Sequence, residues 1–167
     1  MIIGNNLVSK SNNVFVEFVH NINDLAKDKY DDYTYDHAIK VSKYAIDFTM
    51  STNMAITLFE DSCLIEALGI AHDLIEDTDL TYDDIKSCFP DKIPVMAKKI
   101  FIDSLEILTR RKDESYEDYI DRVHINRVTY PYSYIVKIAD MKDHLCRKET
   151  LTDRLKNKYV NALAVLL

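Results

Sequence analysis

Glycine is almost absent from this chain of 167 residues, with only Gly4 and Gly69 present. Loops that cradle phosphates or dinucleotides need several glycines so that backbone amides can approach the ligand. Such a loop is therefore excluded, and any phosphate must be met by side-chain cations and a metal. Cysteine is sparse too. Cys63, Cys88 and Cys146 are odd in number, far apart and without a Cys-x-x-Cys pair, which reads as reduced thiols in a cytoplasmic protein. Long apolar runs are lacking: the longest, Ala162 to Leu167, is far too short for a bilayer, and the opening Met1-Ile2-Ile3-Gly4-Asn5-Asn6 has no signal-peptide pattern. Neither export nor a membrane anchor is expected. Basic charge is in deficit, with 21 Lys and Arg against 28 Asp and Glu and a formal charge of -7. That balance opposes a nucleic-acid polymer as partner but allows a small nucleotide in a locally basic pocket.

What is present is helical periodicity. The length predicts one domain, residues 1–167, that buries about two thirds of its unfolded surface. Ser11 can cap a first helix carrying Phe15, Phe18, Val19, Ile22 and Leu25 down to about Lys27. After a polar, aromatic stretch from Asp28 to Tyr35, a second helix places His37, Val41, Tyr44, Ala45 and Phe48 on one face. A third runs from about Ser62 to Ile75 and delivers His72 and Asp73 near its end. Thr81 with Asp84 opens a short helix to about Cys88, and Pro94 opens a long one to about Thr109. Ser115 with Asp118 and then Pro131 start two more. In the Pro131 helix Tyr134, Ile138, Met141 and Leu145 form the expected core stripe, with Lys137, Asp140 and His144 on a neighbouring face. A last helix starts at about Thr152. No strand pair is evident, so the expected architecture is an all-α, single-domain bundle of about seven or eight helices.

One stretch breaks local rules. Ala71-His72-Asp73-Leu74-Ile75-Glu76-Asp77-Thr78-Asp79 sets four carboxylates after a histidine at the end of an apolar helix. Negative charge there faces the free carbonyls of the helix terminus, and a bound cation is the simplest offset. His37, His72, Asp73 and Asp140 all lie inside apolar patterns, on three helices. A lone histidine on such a face is more often a satisfied core residue, but four such residues together are harder to dismiss.

The order His37, His72-Asp73, Asp140 resembles the H…HD…D pattern of the HD superfamily of metal-dependent phosphohydrolases. His72-Asp73-Leu74-Ile75-Glu76-Asp77-Thr78 is more specific, and is similar to the HD-x-x-ED-T motif of RelA/SpoT-type hydrolase domains and small alarmone hydrolases. Leu108-Thr109-Arg110-Arg111-Lys112, Tyr116 to Ile120 and Val136 to Asp140 also look like segments of short members. The resemblance implies an HD-domain fold, with His37, His72, Asp73 and Asp140 as ligands of a divalent ion. It also implies that Glu76 and Asp77 orient and activate water, and that the 3′-pyrophosphate of (p)ppGpp is removed.

The residue chemistry agrees with those roles. Two imidazoles and two carboxylates suit Mn²⁺ and accept Fe²⁺, Zn²⁺ or Mg²⁺, and such an ion acidifies water and takes charge from a phosphoryl oxygen. Glu76 and Asp77 each follow a ligand by one helical turn. Arg110, Arg111 and Lys112 can grip a pyrophosphate, and Lys137 and His144, one turn either side of Asp140, are candidate substrate contacts. The resembling family has Asn where His144 stands, and an Arg-Lys pair and a Pro-Tyr element ahead of its first histidine. Here that segment offers Lys27, Lys29, Tyr33 and Tyr35 instead. Two alternatives therefore stand beside the alarmone hydrolase: a phosphohydrolase for another nucleotide, and a non-catalytic nucleotide-binding or interaction module.

Overall fold

A computed structural model describes residues 5–51 and 59–167, with side chains from Val14 onward. The described residues form nine helical segments and no strand: α1 (Asn5–Lys29), α2 (Asp32–Ser51), α3 (Phe59–Ala71), α4 (Leu74–Asp77), α5 (Tyr82–Ser87), α6 (Val95–Leu108), α7 (Tyr116–Ile125), α8 (Pro131–Cys146) and α9 (Asp153–Leu166). The all-α expectation holds. Among the described residues no helix is long and apolar enough to cross a membrane.

Local chemistry sets most boundaries. Thr81 and Asp84 form a reciprocal capping box, each side chain bonding the other's backbone amide, at the start of α5. Ser115 and Thr152 accept the amides of Asp118 and Leu155 and so cap α7 and α9. Pro94 immediately precedes α6, and Pro131 opens α8. Three boundaries differ from expectation. Helix α1 already runs from Asn5, so Ser11 lies within it and is not its cap; the Ser11 side chain is outside the described ones. The polar stretch after Lys27 shrinks to a break at Tyr30 and Asp31, because Asp31 accepts the Thr34 amide at 2.7 Å and caps α2 there. The third helix stops at Ala71, and His72 and Asp73 form a turn before α4.

Two apolar clusters build the interior. Phe15, Phe18 and Ile22 of α1 meet Val41 and Ala45 of α2, Ile65 and Leu68 of α3, Phe101 and Leu105 of α6, and Ile135, Val136 and Ala139 of α8. Phe18 lies at the centre, its ring stacked on Phe89 at 4.3 Å and edge-on to Phe101 at 4.9 Å. A second cluster joins Tyr119, Ile120 and Val123 of α7 and Tyr159, Ala162 and Leu166 of α9 to Ile138 and Met141 of α8. Helix α8 is therefore sandwiched, and is buried well beyond the single stripe its periodicity predicts. Asp140 is carried into the interior on that helix.

Helices α2 and α3 approach closely at Gly69. A Cβ built there would lie 2.6 Å from Ser42 Cα and 2.9 Å from its nitrogen. This contact brings the helix bearing His37 against the one that leads to His72.

Candidate metal centre

His72 and Asp73 occupy the turn between α3 and α4. The His72 Nδ1 lies 2.8 Å from the Gly69 carbonyl, which selects the Nδ1–H tautomer and leaves Nε2 as a free acceptor. The Asp73 carbonyl accepts the amides of Glu76 and Asp77, at 3.1 and 2.9 Å, which starts the short turn of α4. Thr78 Oγ1 closes it on the Leu74 carbonyl at 2.6 Å.

His37 reaches the same point from α2. Its Nδ1 lies 2.7 Å from Asp143 Oδ2, and its Nε2 lies 3.3 Å from Asp140 Oδ1 and 3.9 Å from Asp73 Oδ2. The His72 Nε2 lies 3.0 Å from Asp73 Oδ2 and 3.9 Å from Asp140 Oδ1. His144 Nε2 lies 3.1 Å from the same Asp140 oxygen. Its ring is parallel to that of Tyr159 at 4.8 Å and lies 4.7 Å from that of His37.

Three atoms here, His37 Nε2, His72 Nε2 and Asp140 Oδ1, are buried and have no hydrogen-bond partner. His37, His72 and Asp140 are only 5%, 2% and 3% exposed, so water does not compensate them from an open surface. A buried polar atom without a partner costs about 1–3 kcal/mol, and three meeting at one point call for a shared ligand. Donors about 2.1 Å from one ion stand about 3.0 Å apart at a right angle and about 4.2 Å apart when opposite. The observed separations, 3.0 to 3.9 Å, fall in that interval. The buried His and Asp groups can thus hold a divalent metal ion.

Electrostatics sets the charge each donor carries, and at His72 a metal ion must displace a proton. Burial disfavours the charged form of His72, but Asp73 and Asp140 outweigh it and lift its pKa to about 9 without a metal. Burial also opposes ionisation of Asp140, and Lys137, with Nζ 2.7 Å from its Oδ2, overrides this and holds the carboxyl well below its usual range. Lys137 in turn is raised well above an ordinary lysine: burial opposes its charge, and Asp140 outweighs burial.

The acid pair expected to work on water stands at the rim. Partial desolvation raises the pKa values of Glu76 and Asp77, with the Asp73 charge adding to both, although both side chains reach the surface. Glu76 Oε1 accepts the Arg110 amide at 2.6 Å, which ties α4 to the basic turn between α6 and α7. Glu76, Ile75, Thr109, Arg110, Arg111 and Lys112 line a cavity of about 520 Å³.

The structure thus brings His37, His72, Asp73 and Asp140 together, with Glu76 and Asp77 following on α4 and Arg110, Arg111 and Lys112 across a cavity from Glu76. Two expected substrate contacts are placed differently. Lys137 is buried against Asp140 and lies 4.9 Å from the Tyr119 ring, and His144 stands among the candidate ligands. The segment before His37 is engaged elsewhere: Lys29 pairs with Asp79, Tyr33 lies under Arg147 and touches Thr150, and Tyr35 donates to Asn23. Sequence reasoning missed Asp143. Its signal was its position one turn after Asp140 and one turn before Arg147, whose guanidinium it also accepts.

Fold and site define an all-helical protein with a buried imidazole and carboxylate cluster suited to a divalent ion. No protein family and no curated protein matches this chain.

Proposed function

We propose that the chain is a metal-dependent phosphohydrolase of the HD type, similar to small alarmone hydrolases, which removes the 3′-pyrophosphate of (p)ppGpp. The observation that carries this reading is the meeting of three unpartnered buried atoms, on His37, His72 and Asp140, with Glu76 following His72, and Asp77 following Asp73, by four residues. When bound, a divalent ion, Mn²⁺ in the leading reading with Fe²⁺, Zn²⁺ and Mg²⁺ as alternatives, acidifies water and accepts charge from a phosphoryl oxygen.

The chain's own residues supply the rest. His37, His72, Asp73 and Asp140 hold the ion, and Asp143 and the Gly69 carbonyl orient the two imidazoles. Glu76 is positioned through one oxygen by the Arg110 amide, which leaves its other oxygen to orient water and take its proton. The raised pKa values of Glu76 and Asp77 bring both acids closer to the working range of a general base. Arg110, Arg111 and Lys112 bind the pyrophosphate in the adjoining cavity, whose size suits a nucleotide phosphate chain.

One observation favours a second reading. Of the side chains available to hold guanosine, Lys29, Tyr33 and Tyr35 have partners within the protein. The same hydrolytic centre would then serve another nucleotide, a nucleoside monophosphate or a cyclic nucleotide. Ion-exchange product analysis after incubating Mn²⁺-loaded protein with ppGpp, beside nucleoside mono-, di-, tri- and cyclic phosphates, separates the two. GDP with pyrophosphate, lost on chelation, is the expected product. Turnover of another nucleotide alone would discard the alarmone and keep the hydrolase, and turnover of none with metal bound would favour a binding module.

A further inference from the structure

We propose that His144 is a fifth metal donor, so that the centre consists of three imidazoles and two carboxylates. The inference rests on the metal-site reading above and departs from the role in substrate binding that its sequence position suggests.

The geometry places His144 in the ligand shell. Its Nε2 lies 3.1 Å from Asp140 Oδ1, closer than either His37 or His72, and that oxygen has no hydrogen bond of its own. The separation matches two donors at a right angle on one ion, about 3.0 Å. His37, Asp140 and His144 offer donor atoms all within 4.8 Å of one another, just as His37, His72 and Asp73 do, and His37 belongs to both groups. The ring cannot swing freely: Tyr159 lies parallel to one face, and the His37 ring is 4.7 Å away.

The chemistry of the ion changes accordingly. A third imidazole adds a borderline donor to a set that otherwise has equal numbers of nitrogen and oxygen ligands. Preference then moves away from Mg²⁺ and Mn²⁺ towards Fe²⁺, Co²⁺ and Zn²⁺.

Imidazole nitrogen NMR on the intact ¹⁵N-histidine-labelled chain tests this. Metal-free protein is titrated with Zn²⁺, which is diamagnetic, and His144 is assigned by its absence in His144→Asn. The expected result is that the Nε2 resonances of His37, His72 and His144 all move to metal-bound positions at one equivalent, while those of His20 and His124 stay. Movement of His37 and His72 with His144 retaining an Nε2 proton would overturn the proposal, since His144 would then only donate to Asp140. Absence of any movement would overturn the metal site itself, and the fifth donor with it. Competition with a chromophoric chelator supplies a second readout. In His144→Asn, with unchanged circular dichroism, Zn²⁺ affinity is expected to fall about 100-fold and Mn²⁺ affinity less than about 10-fold. Equal losses for the two ions would overturn the third-imidazole assignment.

Discussion

Asp143 Oδ2 lies 2.7 Å from the Nδ1 of His37, and both side chains are buried. The carboxylate thereby fixes the Nδ1–H tautomer and turns Nε2 towards Asp140 and Asp73. An arginine completes the arrangement: Arg147 pairs with Asp143 and, through a second nitrogen, with Asp36 at 2.9 Å. Asp143→Asn keeps the shape and an acceptor but removes the carboxylate charge beside His37. Metal affinity is expected to fall about 10-fold to 100-fold, read by chelator competition. An unchanged affinity would show that Asp143 serves only the Arg147 pair.

Glu76→Gln isolates the proton acceptor. Its amide oxygen can still accept the Arg110 amide, so the tie between α4 and the basic turn survives. Metal content should be retained and turnover should fall by about 10² to 10⁴-fold. Asp73→Ala should instead lose both metal and turnover. Equal effects of the two substitutions on bound metal would remove the distinction between ligand and base.

Gly69→Ala tests the approach of α2 to α3. The added methyl group meets Ser42 main-chain atoms at 2.6 and 2.9 Å, so relief requires one helix to move. Such overpacking is expected to cost about 3 kcal/mol in denaturant unfolding and to weaken metal binding, because the shift separates His37 from His72. A variant of full stability would show that the helices can part without penalty.

Glu114 gives a prediction for acid. Arg122 donates to both its oxygens at 2.7 Å and holds its pKa at about 2, below the ordinary value of 4.5. Because the folded value is the lower one, the contribution is complete above pH 4.5 and is lost as pH falls towards 2. Glu114→Gln should therefore be less stable at neutral pH by about 2–4 kcal/mol, with the gap to the parent closing across that acid window. A gap independent of pH would place the effect in packing.

The chain itself determined its helical character and most helix starts. Apolar spacing and cap pairs such as Thr81 with Asp84 act over a few residues, and they were legible for that reason. His37, His72, Asp73 and Asp140 were legible as candidates because polar groups inside apolar patterns break a local rule. Tertiary structure alone decided which atoms of those residues lack partners and meet at one point. It moved His72 and Asp73 out of the helix into a turn, where the Gly69 carbonyl pairs with the His72 ring and the Asp73 carbonyl accepts the Glu76 and Asp77 amides that start α4. It buried α8 between two clusters, which turned Lys137 onto Asp140 and set His144 between His37 and Tyr159. Apart from the local Lys137–Asp140 pair, those outcomes depend on contacts between residues far apart in the chain, from Asp140, Asp143 and His144 back to His37 and His72. No local pattern encodes distances of that kind; only the packing of α2, α3, α8 and α9 sets them.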